Sequence, residues 1–116
     1  MDGYVSKLQL KCEELIDYGY IALKQYPAEE RFVLSQKVRE CMWELETLII
    51  KGCDARDKRD KISWMRMADK ELTRLMVLWR MGYRLEYLPM KKYERLSYLN
   101  DELGRMIGAW MRRISQ

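Results

Sequence analysis

Residues 96–114 read LSYLNDELGRMIGAWMRRI, and their apolar positions repeat at the spacing of an α-helix. These apolar positions are Leu96, Leu99, Leu103, Ile107, Trp110 and Ile114. Because they recur every three or four residues, they predict one buried face of a long helix. Gly104 and Gly108 lie within the same segment, and each costs a helix interior about 0.5–1 kcal/mol relative to alanine. The segment therefore predicts a helix, and the presence of two destabilising glycines in it needs an explanation.

Three similar apolar stripes precede this one, and proline or glycine separates most of them. Pro27 and Pro89 cannot continue a helix interior, and Gly52 is a typical helix stop. The predicted helices span residues of about 4–25, 28–52, 56–87 and 90–114. The spacing predicts a single domain over residues 1–116 that is all-α.

The simplest architecture for four such helices is an up-down antiparallel four-helix bundle. Short connections make consecutive helices antiparallel neighbours, and the bundle buries all four stripes together. The alternative is a pair of long helical hairpins that share a core with another subunit.

The composition argues against catalysis and metal binding. The chain has 116 residues and no histidine, which removes the commonest general base and the commonest metal ligand. Its three cysteines have no metal-ligand spacing, and their odd number suggests reduced thiols in a cytoplasmic protein. Apolar runs are far shorter than the ~20 residues that a membrane span needs. We therefore expect no enzyme activity, cofactor, metal or membrane partner.

The positive charge lies in the second half of the chain, and largely on one face of the third helix. Residues 54–116 carry 15 Lys/Arg and 9 Asp/Glu, a net charge of +6, whereas residues 1–53 carry 7 and 9, a net of −2. Helical geometry places seven cations opposite the third apolar stripe, without an acid in their sector. They are Arg56, Arg59, Arg66, Lys70, Arg74, Arg80 and Arg84.

Like charges four residues apart repel on a helix, so this face favours phosphate binding. The candidate nucleic-acid contacts are Arg59, Arg66, Lys70, Arg74, Arg80 and Arg84, with Arg105, Arg112 and Arg113 of the fourth helix as further candidates. The alternative is a solvated face, or pairing with acids of a neighbouring helix.

Several apolar residues fall outside the predicted core and suggest contacts between subunits. Trp43, Val77 and Met81 point outward, and a weaker alternative has exposed aromatic residues stacking on bases. Gly104 and Gly108 lie at the border of the core, where small residues let another helix approach closely. That helix belongs to the bundle or to another subunit, and the alternative is two tolerated surface glycines.

Residues 93–113, YERLSYLNDELGRMIGAWMRR, resemble the C-terminal signature of a bacterial four-helix-bundle family. The matching positions are Tyr93, Glu102, Gly104, Arg105, Met106, Ile107, Gly108 and Trp110. Ala109 stands where a second glycine is common. PAEERFVLSQKVRE (27–40) and ADKELTRLMVLWRMGYRLEYLPMKKY (68–93) resemble the family's second and third helices, so the resemblance covers most of the chain.

The family contains the accessory variability protein of diversity-generating retroelements and the protein encoded within intervening sequences of bacterial ribosomal-RNA genes. The resemblance implies a ring-like homopentamer that binds RNA or DNA and docks onto a reverse transcriptase, without catalysis. A net charge of +4 is low for the retroelement group and keeps the ribosomal-RNA group open. A structural oligomerisation module without nucleic-acid binding is the remaining alternative.

Overall fold

The computed structural model describes residues 6–116, which form four α-helices and no strand. The helices are α1 (Lys7–Leu23), α2 (Leu34–Asp54), α3 (Lys58–Arg84) and α4 (Met90–Ser115). Each helix packs against two others, in the cyclic order α1, α2, α3, α4. The domain measures 44 × 25 × 21 Å, as expected for helices aligned along one axis. The all-α, four-helix prediction is confirmed, although the predicted start of α1 at residue 4 lies outside the described residues.

The start of α2 differs from its prediction. Residues 28–33 are not part of the α-helix: Ala28–Glu30 forms a 3₁₀ turn, and α2 begins at Leu34. The Glu30 carboxylate accepts hydrogen bonds from the Leu34 backbone N–H (3.2 Å) and from the Tyr87 hydroxyl (2.8 Å). Glu30 therefore caps the start of α2 from outside the helix. Its second oxygen accepts the hydrogen bond from Tyr87 and so links this cap to the loop between α3 and α4.

The loop between α3 and α4 ends α3 three residues earlier than predicted. Glu86 has a φ of 65°, the left-handed conformation that commonly terminates helices. The Gly82 carbonyl accepts hydrogen bonds from the N–H groups of Tyr87 (2.9 Å) and Leu88 (3.2 Å), which reverses the chain. α4 then begins directly after Pro89.

The core lies along the bundle axis and consists of the predicted stripes. The large side chains without exposed surface include Leu15, Met42, Leu45, Ile49, Met65, Leu75, Trp79, Leu96, Leu99, Leu103 and Ile107. Asn100 is a polar residue within this interior: its Oδ1 accepts from Trp79 Nε1 (3.1 Å) and its Nδ2 donates to the Leu72 carbonyl (2.9 Å). Both polar groups are satisfied, and they join α3 to α4.

None of the helices in residues 6–116 combines the length and the apolar character needed to cross a membrane.

Candidate nucleic-acid interface

The six basic side chains predicted on α3 are all exposed. Arg59, Arg66, Lys70, Arg74, Arg80 and Arg84 lie on the outer side of the helix, whose opposite side buries Met65, Leu72, Leu75 and Trp79. The helix begins at a capped end, where the Asp57 side chain accepts from the Asp60 backbone N–H at 2.8 Å. At 1.5 Å per residue, the row from Arg59 to Arg84 extends over about 38 Å.

Arg74 differs from the other five cations because an acid of its own helix pairs with it. Its Nη1 lies 2.9 Å from Oε2 of Glu71, and this hydrogen bond raises the pKa of Arg74. Glu71 thus reaches the basic face from its flank. Within residues 6–116, the other five form no ion pair, and we call Arg59, Arg66, Lys70, Arg80 and Arg84 the basic face of α3.

Three residues of this face line a shallow depression near the beginning of α3. Arg59, Arg66 and Lys70 line it together with Ser63, and Ser115 of α4 completes the rim. Lys58, which is not among the predicted nucleic-acid contacts, lies in the same depression and donates to the Gln116 carbonyl at 2.7 Å. Cations beside a serine hydroxyl suit a phosphate oxygen.

Two of the three candidates on α4 lie close to the basic face. Arg112 and Arg66 line one end of the groove between α3 and α4, and Arg105 and Arg80 line the other. Arg113 instead lies on the far side of α4, in a hollow beside the start of α1. The predicted set is therefore divided, and Arg113 does not join the other cations.

The two glycines of α4 lie in the groove between α3 and α4, and no helix of the described chain packs closely on them. A Cβ added at Gly104 would meet Leu72 Cδ2 at 3.5 Å, and one added at Gly108 would meet only Arg112 Nη1, at 3.5 Å. Both distances are ordinary van der Waals contacts. The glycines thus leave a flat strip open on the surface of the single chain.

The predicted subunit-contact residues do not form one surface. Val77, which is 43% exposed, lines the groove with Gly104. Gly108 lies further along the groove, and Met81 is half-buried beside Arg84, outside the groove-lining residues. Trp43 belongs to a different surface, on α2, where it contacts Tyr20 of α1.

We expect that Gly104→Ala raises the free energy of unfolding of the chain by about 0.5–1 kcal/mol, measured by urea denaturation. The added methyl group fits at Gly104, and alanine restricts the unfolded chain. The matched control is Gly82→Ala, which should be destabilising because its Cβ would lie 2.9 Å from Cζ of Tyr26 and closer still to the hydroxyl. A Gly104→Ala variant that is less stable than the parent would show that the strip is tightly packed, within the chain or against another copy.

Within the described residues, no group of three or more His, Cys, Asp or Glu side chains could hold a metal ion. Cys12 and Cys41 are buried, and burial raises the pKa of both thiols. A thiol with a raised pKa is a poor nucleophile because little of it is ionised at neutral pH.

Residues 6–114 match the sequence model of the bAvd-like family, which covers nearly all of the described chain. The chain belongs to the bAvd-like family. The name denotes an accessory variability determinant, an accessory and non-catalytic kind of protein. This match confirms the family resemblance, while the comparison with curated proteins found no match.

Two signature residues of this bAvd-like chain, Tyr93 and Glu102, join helices of the bundle. Tyr93 stacks on Tyr83 of α3, with ring centroids 4.6 Å apart and an interplanar angle of 10°. Glu102 accepts from Lys11 Nζ at 2.9 Å and joins α4 to α1. Arg105 is exposed at the groove, so it is not a buried structural ion.

Proposed function

We propose that this chain is a non-catalytic accessory protein of a diversity-generating retroelement that binds template RNA or cDNA and docks onto a reverse transcriptase. Membership of the bAvd-like family supports the accessory role. The observation that carries nucleic-acid binding is the basic face of α3, whose five exposed cations pair with no carboxylate of residues 6–116.

The chemistry of this face favours contacts with the phosphate backbone rather than with bases. Arginine and lysine side chains supply hydrogen bonds and charge to phosphates, and such contacts carry no sequence information. The half-exposed aromatic residues Tyr20, Trp43 and Tyr98 belong to α1, α2 and α4, not to α3. Binding through the basic face is therefore electrostatic and independent of sequence.

Assembly is a further part of the proposal. The open strip at Gly104 and Gly108, with the exposed Val77 beside it, supports contact with another copy of the chain, and the family resemblance implies a homopentamer. A ring of copies would present several basic faces to one nucleic acid and increase avidity.

The salt dependence of binding tests the nucleic-acid part. For duplexes of two unrelated sequences, we expect equal affinity that falls linearly on a plot of log K against log salt concentration. If all five cations of one face contact phosphates, the slope is about −4.5 for duplex DNA and about −3.5 for a single strand. Fluorescence anisotropy of labelled 30-mers measures both.

Two other results would favour the other functions. Absence of binding even at low salt would contradict the proposal and favour a structural oligomerisation module. Strong preference for one structured RNA over others would favour the ribosomal-RNA intervening-sequence group.

A further inference from the structure

A second surface, on the seam between α1 and α2, exposes an ordered pair of aromatic rings. Trp43 is 50% exposed and Tyr20 is 37% exposed. The Trp43 Nε1–H donates to the Tyr20 hydroxyl at 2.8 Å, and the ring centroids lie 6.3 Å apart at 53°. Because the polar atom of the indole is already satisfied within the chain, the ring is held in place while it stays exposed.

Three carboxylates lie on the same two helices, within one or two turns of these rings. Glu13 and Asp17 lie on the exposed part of α1, and Glu46 of α2 lies close to Glu13. Burial, together with the negative charge of Glu13, raises the pKa of Glu46. Within residues 6–116, none of these three carboxylates forms an ion pair with a cation.

The seam between α1 and α4 shows that carboxylates without an ion pair are not a general property of α1. Against α4, Lys11 Nζ lies 2.9 Å from both Glu14 and Glu102, and Arg95 Nη2 lies 3.2 Å from Glu14. Charges on that seam are balanced within the chain. The seam with α2 instead combines repelling carboxylates with an exposed indole, and a cation from outside would relieve the repulsion.

We propose that the surface formed by Glu13, Asp17, Tyr20, Trp43 and Glu46, named the acidic–aromatic face, docks an arginine- or lysine-bearing segment of another protein. A guanidinium or ammonium group would lie over the Trp43 ring while the carboxylates bind its N–H donors. Trp, Tyr and Arg are the residues that most often dominate protein interfaces. The inference rests on the docking part of the proposed function and is independent of nucleic-acid binding.

Charge decides between this occupant and two others. A nucleic acid would bring phosphates to the carboxylates, which repel them. A second copy that brought Arg66, Arg80, Arg105 or Arg112 of its α3 and α4 to this face would withdraw those cations from phosphate. A separate basic chain satisfies both faces at once.

The test is a titration of the ¹⁵N-labelled full chain with a hexa-arginine peptide, and hexa-glutamine serves as the neutral control. We expect saturable shifts of the Trp43 indole N–H and of backbone amides around Tyr20, while the indoles of Trp64, Trp79 and Trp110 stay unchanged. Glu13→Gln with Glu46→Gln should weaken binding about 3- to 10-fold, and Trp43→Leu, followed through backbone amides, about 2- to 5-fold.

The matched control carries Glu29→Gln and Glu94→Gln, two exposed acids outside this face, and it should bind hexa-arginine like the parent. Absence of a Trp43 shift, or equal affinity in the Glu13/Glu46 variant, would overturn the inference. So would a Trp43 shift that appears on raising the protein concentration alone, together with growth in mass, because a second copy would then cover the face. Duplex binding should be unchanged in the Glu13/Glu46 variant, so failure of this inference and failure of nucleic-acid binding are separable.

Discussion

Charge reversal of Arg59, Arg66 and Lys70 to glutamate is expected to lower the affinity for duplex nucleic acid by about 500-fold at 0.1 M salt. Each lost phosphate contact changes the slope of log K against log salt concentration by about 0.9. Between 1 M and 0.1 M salt, three phosphate contacts raise the binding constant K by about 2.7 decades, and the variant loses this gain. The slope itself should become shallower by about 2.7. The three introduced carboxylates add repulsion and do not reduce this effect.

These three residues are the sharpest choice because of their position. They line one depression, are exposed and form no ion pair within residues 6–116. Arg74 is left unchanged, since its pairing with Glu71 means that its removal would release an acid as well as delete a cation.

The matched control reverses Lys24, Lys37 and Lys91, three exposed lysines at the opposite end of the bundle. It changes the net charge by the same amount, so it separates the effect of the site from that of total charge. Fluorescence anisotropy gives the affinity, and circular dichroism checks that both variants keep their helices. Equal loss of binding in both variants would contradict assignment to the basic face.

Trp79→Ala is expected to lower the free energy of unfolding by about 5 kcal/mol. Trp79 has no exposed surface, and truncation of such a residue costs about 3–5 kcal/mol through lost burial and the cavity that remains. The variant also leaves Asn100 Oδ1 buried without its donor, at a further cost of about 1–3 kcal/mol. A loss of this size approaches the whole stability of many domains, so partial unfolding at 25 °C is expected.

Two further variants keep this prediction measurable by urea denaturation. Trp79→Phe fills most of the space and removes the donor, so we expect a loss of about 1–3 kcal/mol. Trp43→Ala removes a half-exposed indole and should cost clearly less than Trp79→Ala. A Trp79→Ala variant within 1 kcal/mol of the parent would show that the Trp79–Asn100 pair does not hold α3 and α4 together.

The groove between α3 and α4 depends on this buried pair. Asn100 accepts from Trp79 and donates to the carbonyl of Leu72, and Leu72 is the residue nearest to an added Cβ at Gly104. The Trp79–Asn100 pair therefore joins α3 and α4 beneath the open glycine strip. Loss of the pair should alter the spacing of Arg80 and Arg105, which line the groove from opposite helices.

The helical class, the buried stripes and the direction of the basic face follow from the amino-acid sequence alone. A helix has 3.6 residues per turn, so the spacing of apolar residues decides which side chains point inward and which point outward. That is why Leu96, Leu103 and Ile107 are buried and why Arg59, Arg66 and Lys70 are exposed, as predicted.

The contacts between groups of different helices depend on the tertiary structure. The helix α2 begins at Leu34 and not at residue 28. The Glu30 carboxylate accepts from the Leu34 N–H and from Tyr87 of a loop distant in sequence. The tertiary structure separates Arg113 from the other cations and Trp43 from the groove, because each faces a different neighbouring helix. Periodicity describes the direction of a side chain from its own helix axis. Partners, distances and open grooves depend on how four helices pack around a common core, and that arrangement is not encoded in the local spacing of any one helix.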